Sequence, residues 1–137
     1  MYNTPVTTGD EAAILALLAV YGLLFFVTII IAIIGYTGRA LLFKKSGREW
    51  WEAIIPVYNI VIMHNMTFGK EKWPFILLML VPYVNIVYSI YFYVMFTKAY
   101  NLTTIQQVFF VFFPFIMVWY MALNDNIRYE GEQKHIF

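Results

Sequence analysis

Residues 56–61 read PVYNIV and residues 82–87 read PYVNIV. Each stretch places an asparagine three residues after a proline, Asn59 after Pro56 and Asn85 after Pro82, in strongly apolar surroundings. Proline removes a backbone donor and clashes with the preceding helical turn. In hydrocarbon, a backbone carbonyl freed in this way must find its partner inside the protein. An asparagine amide can supply that partner. Each Pro-x-x-Asn unit therefore reads as a break in a helix that carries its own repair, and two kinks buried against protein are expected.

The lead-ins to the two units also match. Residues 47–51 read GREWW and residues 69–73 read GKEKW, so both run glycine, basic, Glu, any residue, Trp. Pro56 follows Trp51 by five residues and Pro82 follows Trp73 by nine. The difference is about one helical turn. Two readings stay open: a true duplication, or the basic-plus-tryptophan anchoring found at any membrane interface.

Composition sets the surroundings. The chain of 137 residues, the size of one domain, is 62% hydrophobic and only 12% charged. A soluble domain is about half apolar and about a quarter charged. The surplus apolar surface is expected to face the lipid bilayer, other membrane subunits or further copies of the chain. A net charge of +1 offers no footprint for nucleic acid. With no cysteine, disulfides, thiolate metal sites and cysteine nucleophiles are excluded. The N-terminus lacks a basic region before its long apolar run, so no cleavable signal is expected there.

The apolar stretches give the expected spans. Residues 12–34 carry only Tyr21 and Thr28 as polar side chains, and a first crossing helix is drawn over 12–38. Residues 73–98 form a second long span, interrupted by Pro82, Asn85 and Ser89, and residues 104–123 a last span containing Pro114. Residues 50–66 would reach only about 25 Å as a helix, so they either barely cross or go in and come back. Residues 124–137 read as a polar, loosely ordered tail. The expected fold is all-α: an integral membrane helical bundle of three transmembrane helices plus a Pro-Asn-interrupted re-entrant or interfacial hairpin. Four transmembrane helices are the alternative.

Lys and Arg set the orientation. None precedes the first span, whereas Arg39, Lys44, Lys45 and Arg48 follow it. The N-terminus is expected outside and the C-terminus in the cytoplasm of a multi-pass cell-membrane protein. Three spans plus a hairpin put every Lys and Arg inside except Lys98, which falls near the outer face. Four spans leave Lys70, Lys72, Arg128 and Lys134 outside.

Helical spacing groups Glu52, Pro56 and Asn59 on one face and Pro82, Asn85 and Ser89 on another. If the faces meet, they form a polar intramembrane seam or a small pocket. Ionisable residues in a span are site candidates, here Glu52 and Lys98. Their plainer roles are a pairing of Glu52 with Arg48 and a snorkelling Lys98. Ala12, Ala16, Ala19, Thr28, Ala32 and Gly35 make a small-residue face suited to helix packing. Trp50, Trp51, Trp73, Tyr2, Tyr100 and Tyr129 fit interface belts. His64 and His135, the only histidines, lack metal-ligand spacing, and His64 is expected to be solvated. Ser89 has no base nearby in sequence except Lys98, so no catalytic residue and no cofactor is assigned.

Trp51, Pro56, Tyr58 and Asn59, then Gly69, Lys70 and Trp73, then Pro82 and Asn85, then Lys98, Ala99 and Tyr100, and finally Pro114, Phe115 and Asp125 form an ordered set over about residues 44–130. The set resembles an uncharacterised family of small bacterial multi-span membrane proteins. The resemblance implies a membrane-embedded module, because a similar domain is sometimes fused ahead of signal-peptidase-like domains. Peptidase activity does not carry over, since no such domain is present. The glycine-rich stretch usual in that family after the Lys-Ala-aromatic turn is absent from residues 101–107. The expected function is that of a non-enzymatic accessory or adaptor subunit of a larger membrane complex. The alternative is a homo-oligomeric channel or transporter whose polar path runs by the two Pro-x-x-Asn breaks.

Overall fold

The computed structural model describes residues 8–134. Tyr2 and His135 lie outside the described residues. Every regular element is helical, and no strand occurs among the described residues. Helix α1, Thr8–Lys45, carries Asp10 and Glu11 in its first turn and Lys44 and Lys45 in its last, the arrangement that suits a helix dipole. Among the described residues it is the one helix long and apolar enough to cross a membrane, and a signal sequence shares those features. The chain divides into two compact units, Met1–Ile34 and Gly35–Phe137.

The described part of the first unit is α1 alone. Residues 8–34 are exposed throughout, and runs such as Leu23, Leu24, Phe25 and Phe26 place apolar side chains on every side of the helix.

The second unit begins with the last turns of α1 and continues as three hairpins. The first pairs a short 3-10 helix, Trp50–Ala53, with α2, Pro56–Phe68. The second pairs a 3-10 arm, Lys70–Leu80, with α3, Val84–Lys98. The third pairs α4, Thr104–Phe112, with α5, Pro114–Leu123. At the base of each hairpin one residue takes a left-handed conformation: Gly47 at φ 77°, Gly69 at φ 87° and Asn101 at φ 57°. Glycine adopts it freely, and asparagine tolerates it better than other residues.

Each tip carries a proline. The residue before a proline is driven out of the helical region. Accordingly Ile55 has φ −77° and ψ 114°, Val81 has φ −85° and ψ 121°, and Phe113 has φ −132° and ψ 57°. Pro56 and Pro114 then open the returning helices, where a missing N–H costs no hydrogen bond. These prolines turn the chain; the kinks expected within continuous helices are not formed. The 3-10 arm also contains Pro74, which lacks the N–H that an α-helix would bond to Lys70.

The three bases gather at one end. Helix C-termini leave carbonyls unpaired, and here distant groups bond to them. Tyr100 Oη donates to Leu42 O at 3.3 Å, and Tyr129 Oη donates to Met66 O at 2.6 Å. Lys45 Nζ donates to the carbonyls of Met121 and Asn124. The N–H of Glu130 bonds Ala99 O and that of Gln133 bonds Thr67 O. The described tail, expected to be loose, is therefore stitched to the ends of α2 and α3.

These ties correct three expectations. Residues 73–98 are two antiparallel arms, because both Gly69 and Ala99 lie against the tail. Residues 104–123 fold back at Phe113, with Gln106 Nε2 reaching Tyr120 Oη at 3.1 Å across the hairpin. Lys98 lies at the base beside Ala99, not near an opposite face. Residues 50–66 double back on themselves: Ser46 Oγ lies 3.9 Å from Met66 Sδ, so both ends of the segment sit at the base. At the foot of the third hairpin Thr103 caps α4, its N–H bonding Gln106 Oε1 at 3.0 Å.

The core of this unit is aromatic. Phe96 is fully buried, and its ring centroid lies 5.2 Å from that of Tyr100, 5.9 Å from Phe110 and 6.2 Å from Phe92. Burying one such side chain contributes roughly 1.5–3 kcal/mol. The last turns of α1 pack through glycines, with the Phe115 ring over Gly35 and the Trp119 indole over Gly38. The tips are bare: Leu80 is 78% exposed, Tyr83 86% and Phe112 72%.

Candidate functional site

A cavity of about 370 Å³ lies within the hairpin unit, in the size range of small-ligand sites. Its apolar wall comes from Met63 of α2, Met79 of the 3-10 arm, Phe92 of α3 and Phe110 of α4. The tip prolines Pro56 and Pro114 line it too. Five polar side chains join them: Tyr36 and Arg39 of α1, Asn59 of α2, and Ser89 and Tyr93 of α3.

Local geometry explains why these residues meet. Tyr36 and Arg39 are three apart on α1 and share a face. Pro56, Asn59 and Met63 recur at helical spacing on α2, as Ser89, Phe92 and Tyr93 do on α3. Asn59 is only 2% exposed. Its Nδ2 donates to Ala53 O at 3.0 Å, which fastens the tip of the first hairpin, whereas its Oδ1 has no hydrogen-bond partner. The Arg39 guanidinium, half-buried, makes no ion pair or hydrogen bond with the described residues. No Asp or Glu lines the cavity. The site is thus an apolar chamber holding one uncompensated cation, with Asn59 in its wall.

The other sequence candidates are dispersed. Glu52, 8% exposed, is held by Arg48: Nη2 donates to Oε1 at 3.1 Å, and Nε stands 2.9 Å from Oε2 at ion-pair distance. Asn85 and Pro82 sit at the second tip and do not line the cavity. Of the expected polar set, only Pro56, Asn59 and Ser89 come together. Lys98 is exposed at the base. Within the small-residue set, Gly35 packs under Phe115, while Ala12, Ala16, Ala19, Thr28 and Ala32 are exposed. Thr28 Oγ1 is spent on its own helix, donating to Leu24 O at 2.8 Å.

His64, expected in solvent, is fully buried, with Nε2 2.8 Å from Tyr88 Oη and its ring among Phe68, Tyr88 and Phe92. No group of three or more candidate metal ligands occurs among the described residues. Arg39 and Tyr36 were not legible as site residues. The only signal was that Arg39 stands five residues ahead of Lys44, nearer the apolar run than the other basic residues of the cluster.

At the base, Tyr129 is the titratable group whose surroundings matter. Its phenol is pushed up from the ordinary value, first by burial and then by Glu132, against the opposing effect of Arg48.

No curated protein and no solved structure matches this chain. Residues 51–132, from the first ascending arm to the tail that closes the bases, match a family of unknown function, DUF5684. That match covers more than half of the chain and takes in all three proline-tipped hairpins, so the protein belongs to the DUF5684 family.

Proposed function

We propose that the protein is a non-enzymatic accessory subunit of a bacterial inner-membrane complex, anchored by α1 and by three hairpins lodged in the cytoplasmic leaflet. The segregation of charge from apolar surface carries the reading. Lys44, Lys45, Arg48, Lys70, Lys98 and Arg128 belong to the base turns and the tail, whereas the tips present Ile54, Ile55, Leu80, Val81, Tyr83, Phe112 and Phe113 bare. The arms are too short to cross. α2 has 13 residues and α5 has 10, about 20 and 15 Å, against a hydrocarbon thickness of about 30 Å. A cation-rich base belongs on the cytoplasmic side, which puts the N-terminus outside and the tail inside. The apolar circumference of residues 8–34 supports the subunit role, since no described residue covers it.

The channel alternative has less support. Glu52 is neutralised by Arg48, and Asn85 lies away from the cavity, so no continuous polar path joins the proposed set.

The chain has no cysteine, which makes single-cysteine labelling clean. With a membrane-impermeant maleimide on intact cells, Glu11→Cys should label, and Lys98→Cys and Lys70→Cys should label only after the membrane is opened. External labelling of Lys98→Cys would restore a crossing second span and end the one-leaflet placement. For the subunit role, purification in gentle detergent should yield a stoichiometric membrane partner that is lost with Ala16→Phe. A pure homo-oligomer would refute it.

A further inference from the structure

We propose that the Arg39 cavity seats the headgroup of a phospholipid, with the phosphodiester on Arg39. This rests on the membrane placement above but concerns a different property, ligand occupancy. Two features of the cavity, its cation and its apolar wall, demand complementary chemistry. The unpaired guanidinium calls for an anion, because a cation beside an apolar wall is costly unless paired. A planar fork of donors suits phosphate oxygens. A carboxylate or inorganic anion alone would pair the cation and leave the apolar wall uncovered.

The rest of the wall selects an amphiphile. Met63, Met79, Phe92 and Phe110 surround the polar groups, and thioether side chains adapt to flexible chains. Ser89, whose hydroxyl bonds to no described residue, adds a donor or acceptor for the glycerol region. A phosphate ester with a hydroxyl or amine donor could also be a soluble metabolite. The apolar wall favours the lipid.

The test is native mass spectrometry of the full chain in mild detergent, titrated with dioleoyl phosphatidylglycerol. Dioleoylglycerol, which lacks the phosphate, and glycerol 3-phosphate, which lacks the chains, serve as comparisons. One phosphatidylglycerol per chain should be retained, with at least tenfold preference over dioleoylglycerol. Arg39→Gln should lose tenfold or more in retention, Arg39→Lys less, and Arg128→Gln at the exposed base should change nothing. If Arg39→Gln does not fold, Ile60→Trp, which blocks the lining without touching a charge, should abolish retention. Equal retention of dioleoylglycerol, or undiminished retention in folded Arg39→Gln or Ile60→Trp, would overturn the proposal. Displacement by equimolar glycerol 3-phosphate would assign the seat to a soluble phosphate and overturn the lipid. The labelling pattern of Lys98→Cys is read separately, so failure of the placement and failure of the ligand are distinguishable.

Discussion

Residues 12–34 and residues 73–98 are both long and apolar, yet they become different objects. The first contains no proline and runs as uninterrupted helix from end to end. The second carries Pro74 and Pro82, rises as a 3-10 arm, turns at Val81 and Tyr83, and comes back as α3. Hydropathy is blind to this difference. What separates the two is the backbone restriction before Pro82 and the presence of a buried aromatic face on α3, formed by Tyr88, Phe92 and Phe96, with none on residues 12–34.

The largest break in that comparison comes from the core. Phe96→Ala should cost about 3–5 kcal/mol in denaturant unfolding of the detergent-solubilised protein. Phe25→Ala, at a position 69% exposed, should leave the midpoint unchanged within about 0.5 kcal/mol. Equal effects would mean that the two stretches are buried alike.

A second contrast lies between the two Pro-x-x-Asn units. Asn59→Leu removes the donor from Ala53 O and should cost about 1–3 kcal/mol. Asn85→Leu, at the exposed tip, should cost less than about 0.5 kcal/mol. A reversed order in thermal melts would show that the second unit, not the first, is the fastened one.

At the base, Tyr129→Phe should lose about 1 kcal/mol, the value of its bond to Met66 O. Because burial and Glu132 raise the phenol above its ordinary value, the neutral form is the one favoured by folding. This contribution is complete below the ordinary phenol range and is lost as pH rises through the raised value. The alkaline decline in stability should therefore be shallower in Tyr129→Phe, and an identical decline would remove Tyr129 from the base contacts.

The smallest effect sharpens the turn itself. Tyr83 holds φ 66° while 86% exposed, a conformation that disfavours a side chain. Tyr83→Gly should stabilise the second hairpin by about 1 kcal/mol, and destabilisation would mean that its ring packs against something essential.

Much of this was legible. The apolar length of residues 12–34, the Arg48–Glu52 pairing and the repeated glycine-basic lead-ins all follow from residue type and spacing. Gly47 and Gly69 both take a positive φ, and each precedes a 3-10 arm. Asn101 plays the third part without sharing the motif, which is why the third hairpin read as a plain span. Whether an apolar run crosses or doubles back is not written in the run. It is decided by partners far away in sequence, such as Tyr129 on Met66 and Lys45 on Asn124. Arg39 escaped notice as a site residue for the same reason: the residues that share its cavity, such as Asn59, Ser89 and Pro114, are distant in sequence.

The tail that bonds Thr67 and Ala99 is the last part of the described chain to leave the ribosome. The ends of the first two hairpins must therefore wait, unlatched, until residues 130–133 have been made. Closure follows the hairpins in time, and a nascent chain stalled before residue 129 would hold two hairpins that have no common floor.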